Sequence, residues 1–299
     1  MTENARTWFK DGSYPSDLGV RVESADEARS RLSLPYDERN TMFGLVHGGA
    51  VASLASISAL AIARESPRGV AGPLRTAALH VGYVRAARKS LTVETRAVRR
   101  VRELGFFETL IDDVDGNPVA HASSTVSEGG SDSASADSPL PIPPSEGEGP
   151  FAAPSEDAGA ADAEAIRAAM AASPFLSRRR LRLVGVRRGA VEMALDPAAA
   201  NLDGDGAIHE GAVLTLIDAA GATCPWTVVP PSPGATGATI ALNAHILGPL
   251  PGDGLVARAV VRARDARICW TSVTVVDSAS RKVHALGTVV YRFADKNGP

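Results

Sequence analysis

The sequence of 299 residues predicts an α+β protein made of two copies of one unit. Three observations lead to this prediction: an apolar segment that occurs twice, runs of alternating apolar and polar residues that follow each occurrence, and a polar segment between the copies. Domains of about 150 residues are common, so the length accommodates two domains that can each bury a core.

The repeat is visible at two places in each copy. Residues 45–54 read LVHGGAVASL, and residues 207–216, 162 positions later, read AIHEGAVLTL. Downstream, TAALH at 76–80 corresponds to TIALN at 239–243, at an offset of 163. The nearly constant offset indicates that the two halves are copies of one unit.

Each copy is predicted to contain an entry hairpin, one central helix and then four strands. The hairpins fall at about 18–34 and 180–195. Alternating runs follow the helix at 91–102, 106–114 and 119–126, and again at 255–264, 268–276 and 283–293. The helices are apolar on nearly every side, so each must be enclosed, most simply by an antiparallel sheet wrapped around it.

The composition changes sharply between the copies. Residues 127–165 are rich in Ser, Pro, Gly and Ala and carry nine acidic and no basic side chains. Such a segment buries too little apolar surface to fold, so we predict a disordered linker there. The predicted domains are therefore 1–126 and 166–299, with net charges of +1 and +5.

Composition also argues against several functional classes. The two cysteines, Cys224 and Cys269, form no disulfide framework, and the amino-terminal residues lack an apolar signal region, so we expect a cytoplasmic protein. The apolar segment 45–63 contains serines, glycines and a histidine, which favours a buried helix over a membrane span. Arginines are dispersed through strand-like segments, with no basic block interleaved with aromatic residues, so no nucleic-acid partner is expected.

Motifs for other chemistries are incomplete. His209 and Glu210 do not begin a zinc-binding helix motif, because Val213 stands where the second histidine would be. No complete dinucleotide-binding fingerprint and no nucleophile elbow are present. We therefore expect neither a metal nor a cofactor.

Two residues point to a site at the central helices. A backbone N–H in the first turn of a helix can stabilise an oxyanion, and Gly48 would let a substrate carbonyl approach closely. Gly-Gly could equally serve tight helix packing. Asp218 lies deep in the second apolar helix, where an unpaired carboxylate is costly, so it needs either a structural partner or a chemical role.

A His-Gly-Gly that opens a buried helix, an acid nine residues after the equivalent histidine, and a Thr on the next strand resemble the PaaI-like acyl-CoA thioesterases of the hotdog superfamily. The resemblance implies a tandem hotdog: two antiparallel sheets, each wrapped around a central helix, packed as an internal pseudo-dimer. It also implies hydrolysis of an acyl-CoA, and it allows a homodimer of four units.

The resemblance further implies a composite site. Gly48 would polarise the carbonyl, Asp218 would act as base or nucleophile, and Thr239 would help to hold water. His47 belongs to the same composite site, where it either orients the loop or takes part in catalysis. Asn40 would assist the carbonyl, although Thr41 stands at the family's usual spacing.

The other composite site would combine Glu210, Ser56 and Thr76, and it lacks an acid at the position of Asp218. We therefore predict one working site per chain. A non-catalytic acyl-CoA-binding or regulatory protein remains the alternative, and a hotdog hydratase or dehydratase is a third.

Overall fold

The computed structural model describes residues 12–65, 73–128, 160–229 and 236–294. The elements of the first half are α1 Tyr14–Leu18, β1 Arg21–Ala25, β2 Arg29–Leu34, β3 Thr41–Met42, β4 Leu45–Val46, α2 Gly48–Arg64, β5 Leu74–Tyr83, β6 Leu91–Val101, β7 Leu104–Asp113 and β8 Pro118–Glu128. Those of the second half are α3 Ala160–Ala171, α4 Pro174–Arg178, β9 Leu181–Arg187, β10 Ala190–Leu195, α5 Glu210–Thr223, β11 Thr236–Ile246, β12 Leu255–Arg264, β13 Ile268–Asp277 and β14 Val283–Ala294.

Twelve of the fourteen described strands form one antiparallel sheet, in the order β1-β2-β6-β7-β8-β5-β11-β14-β13-β12-β10-β9, and β3 pairs with β4 in a separate two-stranded sheet. The two halves of this order correspond strand for strand when each is read from its outer edge. Strands β5 and β11 join the halves through the pairs Leu79 with Ala244 and Gly82 with Ala241. The predicted fold, with one helix enclosed by each half-sheet, is confirmed, but the two sheets are continuous and not separate.

The central helices α2 and α5 form as the repeat predicts. Every residue of α2 from Gly49 to Ala63 is buried, as expected for a helix without a polar stripe. Each helix begins with a histidine N-cap whose Nδ1 accepts the N–H two residues later: 3.0 Å from Gly49 N to His47, and 2.9 Å from Gly211 N to His209. The caps satisfy an N–H that has no acceptor within the helix.

The two helices lie antiparallel and in close contact. The Ser53 Oγ donates to the carbonyl oxygens of Gly49 and Gly211, at 2.6 and 2.9 Å. A Cβ added to Gly49 would lie 2.6 Å from the Cα of Thr215. The start of each helix therefore lies beside the middle of the other.

We expect Gly49→Ala to lower the free energy of unfolding by about 1–3 kcal/mol, because the added methyl group meets backbone that cannot easily move. Urea unfolding measures the change. Gly248→Ala is the control, since a Cβ there has no neighbour within 4 Å. Equal stability of the two variants would show that the helices do not approach this closely.

The structure corrects the ends of the predicted linker. Strand β8 extends to Glu128, and α3 begins at Ala160, so both ends of the segment 127–165 lie in regular elements. Residues 129–159 lie outside the described residues. Among the helices that the structure describes, none is long and apolar enough to cross a membrane.

Candidate active site

Asp218 lies against the first turn of the opposite helix. Its side chain is buried in the middle of α5, and a Cβ added to Gly48 would lie 2.7 Å from its Oδ2. Its Oδ1 accepts a hydrogen bond from Thr239 Oγ1 at 2.8 Å. The Nδ1 of His47 lies 3.3 Å from Oδ2. The structure thus brings together four of the five predicted site residues, two from each half.

His47 is placed as a helix cap. Its Nδ1 accepts the Gly49 N–H, so this nitrogen carries no proton to give to Asp218. Burial lowers the pKa of His47, and the negative charge of Asp218 opposes that shift. The ring, which also lies 4.9 Å from the ring of Phe175, is therefore neutral and positions the start of α2.

Asn40 makes its hydrogen bonds on the loop before the helix. Its side-chain Nδ2 donates to the Leu18 carbonyl at 2.6 Å, and its main-chain carbonyl accepts the His47 N–H at 3.0 Å. The main-chain carbonyl of Asn201 accepts the His209 N–H in the same way at 2.8 Å, so Asn201 is the counterpart of Asn40. Within the described ranges, no hydrogen bond joins the Asn40 side chain to Gly48 or Asp218.

Two tyrosines at this site were missed by the sequence analysis. The Tyr83 hydroxyl donates to the Gly48 carbonyl at 3.0 Å, and its pKa is raised by burial and by the charge of Asp218. Tyr291 lies opposite Thr239 in the sheet, and burial raises its pKa as well. The repeat gave no signal for Tyr83, since Ile246 stands 163 positions later.

The second composite site, formed by Glu210, Ser56 and Thr76, contains a carboxylate. The carboxylate of Glu210 accepts the Thr76 N–H at 3.0 and 3.1 Å through its two oxygens, and Ser56 Oγ lies 3.4 Å from Oε2. Ser56 and Thr76 are themselves joined by a 3.0 Å hydrogen bond between their hydroxyls. Glu210 therefore reaches from one helix to the place where the sequence analysis expected an acid on the other.

Acid should destabilise the protein through His209. Burial, followed by the charges of Arg64 and Arg179, lowers its pKa from 6.5 to about 3. Between these values the unfolded chain binds a proton that the native chain does not, so the free energy of unfolding falls as pH falls below 6.5. We expect a slope of up to about 1.4 kcal/mol per pH unit from this group.

His209→Asn keeps a capping side chain but removes the titration, so urea unfolding measured at pH 7 to 5 should show a shallower slope. His245→Asn, at an exposed histidine, serves as the matched control. An unchanged slope in the His209 variant would assign the acid sensitivity elsewhere.

Known proteins resemble this chain in both sequence and structure. A family model described as the thioesterase superfamily matches residues 43–120. A Halobacterium salinarum protein named as a candidate esterase is 34% identical over 123 residues, which cover 38% of this chain and 82% of that protein. The match spans most of the relative, whereas the relative corresponds to a part of this chain.

Solved structures that align with 94–96% of this chain resemble it in fold. The tesB protein of Mycobacterium avium subspecies paratuberculosis has a TM-score of 0.65 at 11% identity, covering 94% of this chain and 99% of its own. The acyl-CoA thioesterase II TesB2 of Mycobacterium marinum has a TM-score of 0.61 at 13% identity, covering 96% and 98%. A hot dog fold protein of unknown function from Alicyclobacillus acidocaldarius has a TM-score of 0.61 at 16% identity, covering 96% and 98%.

Proposed function

Because the chain belongs to the thioesterase superfamily, we propose that it hydrolyses an acyl-CoA thioester to the free acid and CoA at the composite site of Gly48, Asp218 and Thr239. Within the superfamily we propose a place among the PaaI-like enzymes, on the residues that carry that resemblance. The observation that supports the proposal most directly is the Asp218 carboxylate, held by one half of the chain against the helix start of the other.

The first turn of α2 supplies the electrophilic part of the site. The Gly48 N–H has no acceptor within its helix and lies at the positive end of the helix dipole. A thioester carbonyl oxygen that accepts this N–H becomes more negative as the carbon is attacked, so the hydrogen bond strengthens in the transition state. The Tyr83 hydroxyl holds the Gly48 carbonyl and so fixes the direction of this turn.

Asp218 supplies the basic part. As a general base it takes a proton from water, whose oxygen then bonds to the carbonyl carbon; as a nucleophile it attacks that carbon itself. In both routes the bond from carbon to sulfur breaks and the thiolate is protonated. In the nucleophilic route water then hydrolyses the mixed anhydride between the acyl group and Asp218, which releases the free acid and regenerates the carboxylate. The hydrogen bond from Thr239 to Oδ1 orients the carboxylate and leaves Oδ2 directed towards Gly48.

The test is thiol release from a panel of acyl-CoAs with short, long and aromatic acyl groups, using the full chain. Turnover of at least one member is expected. Absence of turnover for every member would overturn the hydrolase and favour the non-catalytic acyl-CoA-binding protein. After a single turnover in ¹⁸O-labelled water, label in the Asp218 side chain identifies the nucleophilic route, because water that attacks the Asp218 carbonyl of the mixed anhydride leaves its oxygen there and the general-base route never does.

A further inference from the structure

We propose that each chain carries a second hydrolytic site, formed by Glu210, Ser56 and Thr76, in which the acid comes from the opposite helix to that of the Asp218 site. This inference rests on the proposed function. It replaces the expectation of one site per chain that the sequence comparison gave.

The two clusters occupy equivalent positions in the repeat. Gly48 corresponds to Glu210 and Ser56 to Asp218 at an offset of 162, and Thr76 corresponds to Thr239 at 163. Since α2 and α5 lie antiparallel, each cluster combines the start of one helix, the middle of the other and a strand threonine. The backbone arrangement is therefore the same in both clusters, but the acid lies at the helix start in one cluster and in the helix middle in the other.

A carboxylate lies at the same junction in both clusters. In the first, the Asp218 carboxylate lies between Thr239 and the helix start at Gly48. In the second, the carboxylate of Glu210 lies between Thr76 and Ser56, the residue that replaces Asp218. Glutamate is one methylene longer than aspartate, and this length lets an acid at the helix start reach the position that Asp218 reaches from the helix middle.

The histidine cap and the helix start of the first site also have counterparts in the second, although Ile246 stands in place of Tyr83. His209 caps α5 as His47 caps α2, so both helix starts are held by a neutral imidazole. The Glu210 N–H occupies the first helical position, where an N–H has no acceptor within the helix. Burial raises the pKa of the Glu210 carboxyl, which makes its ionised form a stronger base.

The reaction at this second site uses water, the thioester and the Glu210 carboxylate. Water gives a proton to the Glu210 carboxylate, and its oxygen forms a bond to the thioester carbon while the Glu210 N–H holds the carbonyl oxygen. The bond from carbon to sulfur then breaks as the carbonyl re-forms. The proton passes from Glu210 to the thiolate, which leaves as CoA.

The test compares four forms of the full chain: wild type, Asp218→Asn, Glu210→Gln and the double variant. Each is assayed for thiol release with the same acyl-CoA panel. We expect Asp218→Asn to keep turnover of at least one thioester, and Glu210→Gln, added to it, to reduce this remainder by about 10²-fold or more. Glu192→Gln, added to Asp218→Asn, is the matched control and should leave the remainder unchanged.

Titration with a thioether analogue that cannot be hydrolysed provides a second measurement, with two equivalents bound per chain expected. If Asp218→Asn is as inactive as the double variant while Glu210→Gln resembles the wild type, the second site is wrong and the proposed function stands. Binding of one equivalent per chain also overturns the second site. If the double variant is as active as the wild type, neither carboxylate is catalytic and both proposals fall.

Discussion

Asp218→Asn, introduced into a chain that already carries Glu210→Gln, is expected to lower kcat for thioester hydrolysis by about 10²- to 10⁴-fold, the usual contribution of a general base. The Glu210→Gln background isolates the Asp218 site, so the loss is read at one place. The amide keeps the size of the side chain and can still accept from Thr239 Oγ1, but it cannot take a proton from water. KM should change much less than kcat, because the substrate contacts at Gly48 remain.

Asp277→Asn in the same background is the matched control. Asp277 is also a buried carboxylate of the second half, and it binds His284 and Ser280 instead of facing a helix start. Its loss should lower stability and leave kcat unchanged. Equal kcat values for Asp218→Asn and its parent would remove Asp218 from the mechanism, even if thiol release persists.

Gly48→Ala, in the Glu210→Gln background, is expected to lower kcat by about 10²-fold. Alanine keeps the backbone N–H, but its Cβ would lie 2.7 Å from Asp218 Oδ2 and 3.3 Å from Cγ, so the carboxylate must move. A displacement of about 1 Å from the reacting geometry can cost this much in rate. The measurement is kcat with the best thioester of the panel, together with urea unfolding.

The control for this glycine is Gly248→Ala, which adds the same methyl group in open space and should leave kcat unchanged. A Gly48→Ala chain with the kcat of its parent would show that the position of Oδ2 is not critical. A loss of kcat only in proportion to the unfolded fraction would indicate a purely structural glycine.

The repeat predicted the fold because its signals are local. Apolar periodicity and the paired His-Gly and His-Glu motifs identify two enclosed helices, and the offset of 162 shows that they are equivalent. The junction between β5 and β11 could not be predicted, since strand alternation does not say which edges pair. The meeting of Gly48 with Asp218 was predicted only through the family resemblance.

Side-chain reach limited the prediction of the sites. The site of Glu210, Ser56 and Thr76 was predicted to lack an acid at the position of Asp218, because a linear comparison does not show that the Glu210 carboxylate extends to Thr76 and Ser56. The role of Asn40 was predicted from its spacing to His47. In the structure the main-chain carbonyl of an asparagine accepts the histidine N–H in both halves, although the number of residues between asparagine and histidine differs. Contacts that depend on the length and direction of a side chain can be predicted only when the relative positions of the helices are known.

The two half-sheets joined through β5 and β11 belong to one polypeptide, so the two composite sites can change independently in evolution. In a symmetric homodimer every substitution is present at both composite sites, so an acid cannot move at one site without moving at the other. In this chain each composite site is encoded by its own pair of segments. A substitution can therefore change one site while the other stays intact, and Ser56 with Glu210 is the kind of divergence that such independence permits.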